Sequence, residues 1–137
     1  MIMKAKLVFN DIIPFKGFLS MCLWPFIFVR NSAVNHYNVV ANNHEQIHAE
    51  QQKEMLAAGI VLAATAFLVG CGWWSLMALP LFLWMYCLEW VFRLVQYRDM
   101  HTAYRNISFE REAYANEKEL GYLTQRKRFA WFGYMVQ

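Results

Sequence analysis

Asn43-His44-Glu45-Gln46-Ile47-His48-Ala49-Glu50-Gln51-Gln52-Lys53-Glu54-Met55 is the stretch whose reading decides the fold. As a helix it places His44 and His48 one turn apart on a common face, where two imidazoles can share a metal ion, with Glu45 beside them. Asn42 and Asn43 would both cap the helix too late, leaving His44 in its first turn, so the spacing predicts a start near Asn38. Beyond Glu54 the character of the chain changes abruptly. From Met55 to Leu88 there is no Asp, Glu, Lys, Arg or His.

One helix of that length would reach roughly 50 Å, well beyond a hydrocarbon core of about 30 Å. Gly70-Cys71-Gly72 supplies a break near its middle. The predicted result is a transmembrane hairpin, Met55 to Val69 and then Trp73 to about Trp90, with Pro80 kinking the second arm. So small a chain has little protein with which to cover such a run in water. The fold class is therefore a mainly α membrane protein: a transmembrane helical hairpin, an HExxH helix before it and a Glu-bearing helix after it. A short N-terminal β or extended segment completes it.

Composition agrees. The 137 residues are 58% hydrophobic and 18% aromatic, with only 17% charged, which fits one membrane-embedded domain. Its parts are an extended interfacial segment (1–38), the HExxH helix and hairpin (39–98), and a Glu-bearing helix with a basic aromatic tail (99–137). No signal peptide is expected, because Asp11, Pro14 and Lys16 interrupt any early apolar run. Basic residues flank the hairpin on both sides and are missing from its tip, so both termini are expected in the cytoplasm, with Trp73 and Trp74 at the far interface. The net charge of +3 points to anionic lipid and not to nucleic acid as the partner. Cys22, Cys71 and Cys87 form no CxxC pair and read as packing residues.

Residues 1–40 are rich in β-branched and aromatic residues, with turn material at Pro14, Gly17 and Asn31-Ser32. Pro25 argues against a helix, so a short strand pair or a re-entrant segment is expected, and Phe26 to Arg30 is the candidate edge strand for an extended peptide. Near the cytoplasmic end of the second arm, Glu89 and Arg93 form an intramembrane polar pair one turn apart. Asp99 to Asn106 reads as a polar link, and Ser108 as the cap of a helix over 109–123. Arg126, Lys127, Arg128, Phe129, Trp131, Phe132 and Tyr134 read as an interfacial anchor. Glu50, Gln51, Gln52 and Glu54 read as a solvated or interfacial face.

A hydrolytic zinc site needs a third protein ligand and an open position. His36, His101 and the carboxylates of 110–117 compete for that place. At about 100° per residue, Phe109, Glu112, Ala113, Asn116, Leu120 and Leu123 form one inward stripe, with Glu110 and Glu117 on its flank. This makes Glu112 the carboxylate expected to face the core, with Glu110 as the alternative. Asn116, one turn on, is then placed to hydrogen-bond a ligating histidine.

His44-Glu45-Gln46-Ile47-His48, followed after a hairpin by Arg111-Glu112-Ala113-Tyr114-Ala115-Asn116, resembles the membrane-embedded gluzincin metallopeptidases. These include the CAAX prenyl proteases, the bacterial heat-shock membrane protease and the beta-lactam sensor metalloproteases. The resemblance covers two motifs and the hairpin between them, and it implies zinc held by His44, His48 and Glu112, with Asn116 where the family has Asp. It implies peptide hydrolysis with Glu45 activating the water, and a membrane protein or peptide as substrate. Tyr104, Arg105, His101 and Tyr114 are the candidate oxyanion donors. The whole sequence also resembles small bacterial membrane proteins without an assigned function, which implies the bacterial inner membrane. The second expectation is a non-catalytic, zinc-stapled small subunit of a larger membrane complex.

Overall fold

The computed structural model describes residues 4–136. It is mostly helical, with one small sheet. Strands β1 (Lys6–Asn10), β2 (Ser20–Leu23) and β3 (Phe26–Arg30) lie in the order β1-β3-β2. The β1–β3 pair is parallel and the β2–β3 pair antiparallel. Trp24-Pro25 is the two-residue turn between β2 and β3, so the proline falls where no ladder amide is needed. Phe26 to Arg30 is therefore the central strand, and the edge strand expected there is instead β2. Ile27 and Val29 alternate inward from β3 and pack with Ala5, Cys22 and Ala49.

Helix α1 (Val39–Ala66) begins where expected: the Asn38 side chain caps it by accepting from the Ala41 amide at 2.9 Å. Its two halves have opposite surroundings. Asn43 through Ala49 and Gln51 are all buried, most of them polar. Further along, Ile60, Val61 and Leu62 are large, apolar and exposed, as are Phe67, Leu68 and Val69 past the helix end. A chain with polar groups inside and apolar groups outside inverts the arrangement of a water-soluble domain. The helical run Val39–Ala78 is long and apolar enough to cross a membrane, with a mean hydropathy of 2.1 over its most apolar window.

The turn of the hairpin is made by Gly70 (φ +96°) and Gly72 (φ +55°), both in the left-handed region open to glycine. The return arm is not one kinked helix. A 3-10 stretch, Gly72–Ala78, comes first, and Pro80 then opens α2 (Leu81–Tyr97). Proline has no amide to lose at a helix start, which explains its place. Gly59 lets the two arms meet: a Cβ there would lie 2.5 Å from the Ala78 carbonyl oxygen. Gly59→Val is expected to lower stability by about 1–3 kcal/mol through overpacking, read from thermal unfolding of the detergent-solubilised protein.

The segment 99–106 is also not a simple link, because Asp99 caps a short helix, α3 (Met100–Arg105), by accepting from the Thr102 amide at 2.7 Å. Helix α4 (Ser108–Asn116) is shorter than the helix expected over 109–123, and a brief α5 (Tyr122–Gln125) follows after a turn. Ile107 takes the cap position that the sequence suggested for Ser108. The Ser108 amide and hydroxyl donate instead to the two oxygens of Glu89, at 2.9 and 2.6 Å. Arg93 reaches Glu89 at 3.5 Å and donates to the Met135 carbonyl at 2.9 Å. The Glu89–Arg93 pair thus ties α2 to α4 and to the C-terminal turn, Ala130–Tyr134. Trp131 is not an interfacial anchor: it is 1% exposed and packs with Met55, Ile107 and Phe109. Lys127, Arg128 and Phe132 of the same tail are exposed.

Candidate metal centre

The first half of α1 carries the site. His44, Glu45 and His48 are buried between the sheet on one side and α4 on the other. The carboxylate that meets both histidines is Glu110. His44 Nε2 lies 3.1 Å from His48 Nε2 and 3.3 Å from Glu110 Oε2, and His48 Nε2 lies 3.2 Å from Glu110 Oε1. Ligand atoms ~2.0–2.1 Å from a tetrahedral ion sit about 3.3 Å apart, so these spacings fit a shared metal ion. His44, His48 and Glu110 form the cluster among the described residues that could hold one.

Two further observations support that fit. Glu110 Oε2 is buried and accepts no hydrogen bond of acceptable geometry, although His44 Nε2 is within ion-pair distance. It is an acceptor with capacity to spare. Burial opposes the charge on Glu110, but His48 and His44 outweigh it and hold the carboxyl well below the usual carboxylate range.

Glu112, expected as the third ligand, faces elsewhere. Its Oε1 accepts from Arg126 Nε at 2.5 Å and from the Tyr122 hydroxyl at 2.9 Å. Its Oε2 accepts from Gln51 Nε2 at 2.9 Å and from an Arg126 terminal nitrogen at 3.2 Å. Four donors saturate it. The expectation assumed that α4 has one inward face, but Ser108, Phe109, Glu110, Glu112 and Ala113 are all buried. Two residues apart means about 200° apart, so the carboxylates of Glu110 and Glu112 enter different parts of the interior. Within α4 the spacing Glu-x-x-Ala occurs twice, as Glu110…Ala113 and Glu112…Ala115. Ala113 is fully buried and Ala115 exposed, so a preference for burial of the small residue would have selected Glu110.

Asn116 likewise does not reach a histidine. Its side chain donates to the Glu112 carbonyl at 2.7 Å and to the Tyr134 hydroxyl at 3.0 Å. The histidines are oriented by Glu117, 3.0 Å from His44 Nδ1, and by Gln51, 2.7 Å from His48 Nδ1. Glu117 is held there because the Asn43 amide nitrogen lies within hydrogen-bond reach of the carbonyls of Asn116, Glu117 and Glu119, at the free end of α4. Gln51 is 0% exposed, and Glu54 pairs with Arg126 at 2.6 Å, so neither belongs to the solvated face expected of them. Gln52 binds the sheet: it accepts from the Trp24 amide and donates to the Cys22 carbonyl, both at 2.7 Å.

Glu45 sits beside β2, where its Oε1 accepts from the Ser20 hydroxyl at 2.7 Å. The Arg30 amide donates to the Leu19 carbonyl at 3.3 Å, and the register pairs Ser20 with Val29 and Cys22 with Ile27. The alternation of an antiparallel ladder then turns the amides and carbonyls of Ser20 and Cys22 away from β3. Gln52 takes the Cys22 carbonyl. The outer edge of β2 therefore keeps backbone groups available next to Glu45.

No protein-family model, curated protein or solved structure matches this chain. The site rests on its own geometry.

Of the candidate oxyanion donors, Tyr104 and Tyr114 lie close to the cluster. Burial and then Glu110 push the Tyr104 phenol up, so it stays a neutral donor. The Tyr114 ring meets His44 edge-on at 4.6 Å and carries the Arg105 guanidinium over its face at 4.4 Å. His101 is exposed in the first turn of α3 and His36 is exposed after β3; neither belongs to the cluster. Tyr86 was not singled out by its sequence context, yet its hydroxyl donates to Glu110 Oε1 at 2.8 Å. A tyrosine in an apolar helix gives no local signal of what its hydroxyl will meet.

Proposed function

We propose that the protein is a membrane-embedded zinc metallopeptidase that hydrolyses a peptide bond near the cytoplasmic membrane face. The observation that carries this reading is the buried His44–His48–Glu110 cluster with Glu45 next to it. The residues that would hold zinc are those three; a structural zinc site usually has four protein ligands, and a catalytic one has three and an open position. Zinc bound there supplies Lewis acidity and lowers the pKa of water towards ~7.

The chain's own residues do the rest. Glu45, oriented by the Ser20 hydroxyl, takes a proton from the attacking water and returns it to the leaving amine. Glu117 and Gln51 steady the imidazoles. Tyr104 and Tyr114 are the donors best placed to meet negative charge developing on the carbonyl oxygen. An extended peptide pairs with the outer edge of β2, through the amide and carbonyl of Ser20 and the amide of Cys22. The apolar exterior of the hairpin supports a membrane setting. A multi-pass arrangement in the bacterial inner membrane with both termini cytoplasmic rests on the resemblance and on the basic residues flanking the hairpin, and it sets Trp73 and Trp74, 84% and 81% exposed, at the far interface. The ligand types, two histidines and a glutamate, are those the gluzincin resemblance implies, although Glu110 stands two residues before the Glu of the motif that carried it.

A zinc-stapled subunit of a larger membrane complex is the competing reading, and it leaves Glu45 only its hydrogen bond with Ser20. Glu45→Gln decides between them. The variant is expected to keep its zinc by elemental analysis and to lose activity on peptide substrates by ~10²–10⁴-fold. Unchanged turnover in that variant would rule out the general-base role.

A further inference from the structure

We propose that Gln51 is a positioning residue that fixes His48 in the metal-binding tautomer, and that Glu112, clamped by Arg126, fixes Gln51. This rests on the metal-site reading above. A glutamine side chain has two unlike ends, a carbonyl that only accepts and an NH2 that only donates. Gln51 Nε2 lies 3.0 Å from the Phe109 carbonyl oxygen and 2.9 Å from Glu112 Oε2. Both of those are acceptors, so the NH2 end must face them. The carbonyl end is then turned to His48 Nδ1 at 2.7 Å, and this nitrogen must carry a proton to donate. The remaining nitrogen, Nε2, is the one facing His44 and Glu110, and it is the one whose lone pair is free for a metal.

A flipped Gln51 would set its carbonyl against two acceptors and its NH2 against His48 Nδ1. It would favour the tautomer with its proton on Nε2, which cannot ligate. Flipping is opposed by the anchoring of Glu112, whose other contacts are Arg126 and Tyr122. Arg126 is itself held from α1 by Glu54, at 2.6 and 3.1 Å. The C-terminal segment thereby reaches the metal centre through three side chains. Both buried glutamate carboxylates of α4 serve the site: Glu110 as a ligand and Glu112 by setting the orientation of Gln51.

The test uses the full-length detergent-solubilised protein, a zinc titration against a competing chelator, and nitrogen-15 spectra of the histidine rings. Wild type should show a proton on His48 Nδ1, with and without zinc. Gln51→Leu should bind zinc about 10–100-fold more weakly and lose the single Nδ1–H pattern. Glu112→Gln, which keeps the shape but loses a pure acceptor, should show a mixed ring pattern and a smaller drop. A merely structural role would lower the unfolding temperature and leave the ring pattern of the folded protein intact. Wild-type zinc affinity and an unchanged ring pattern in folded Gln51→Leu would overturn the proposal; if that variant does not fold, the same result in Glu112→Gln would do so. A wild type that takes up no zinc would overturn the metal site instead. The relay would then be read from the metal-free protein at a pH where the His48 ring is neutral, by whether its one proton sits on Nδ1 in wild type and is shared between the two nitrogens in Gln51→Leu.

Discussion

Glu110→Ala is expected to strip the protein of the zinc proposed for the site, whereas Glu112→Ala is expected to keep the stoichiometry and weaken the affinity. Removing Glu110 leaves two imidazoles, and two ligands do not make a zinc site of any common type. The loss should be visible by elemental analysis of protein purified in the presence of zinc, and turnover should fall with it. Glu110→Gln is the sharper variant because it keeps the volume and an oxygen while removing the charge. It should also lose most of its zinc, since the amide would retain only a neutral oxygen towards the cation. Glu112 does not contact either histidine, and its four hydrogen bonds go to Arg126, Tyr122 and Gln51. Full zinc in Glu110→Ala together with none in Glu112→Ala would reverse the assignment.

Arg126→Met is expected to destabilise the fold by about 3–5 kcal/mol. Arg126 is 4% exposed at its side chain and sits between Glu112 at 0% and Glu54 at 12%. Its guanidinium makes two bonds to each carboxylate, so its removal strands two negative charges in an interior that cannot solvate them. Chemical unfolding of the solubilised protein measures the loss. Replacing Arg126, Glu54 and Glu112 together by apolar residues of similar size should recover most of the stability, because no uncompensated charge then remains. It should not recover the wild-type zinc affinity, because Gln51 would still lack its anchor. A single Arg126→Met variant as stable as wild type would show that the two carboxylates find other partners.

The basic residues of 126–128 read from the sequence as a membrane-surface feature. Lys127 and Arg128 are exposed, as that reading requires, whereas the Arg126 side chain and Trp131 are buried, which it does not allow. Nothing local distinguishes Arg126 from its two basic neighbours. What separates them is a pair of acidic side chains distant in the chain, Glu54 and Glu112, that the fold brings to one point. Gln51 was misplaced for the same reason. A polar residue on a helix beside polar neighbours looks solvated until a second helix covers it.

What the sequence determined by itself is the content of α1. The HExxH spacing sets His44 and His48 one turn apart, Asn38 starts the helix, and the uncharged run from Met55 to Leu88 bends at Gly70 and Gly72. All of these follow from periodicity, capping and backbone freedom, which act over a few residues. The tertiary structure decided which carboxylate joins the histidines, which strand edge lies open beside Glu45, and which side chains hold the imidazoles. The physical reason is that α4 is enclosed on several sides. A helix with one buried face advertises that face in its sequence. One that packs against α1, α2 and the C-terminal turn has no single inward stripe, and only its neighbours assign Glu110 to the histidines and Glu112 to Arg126.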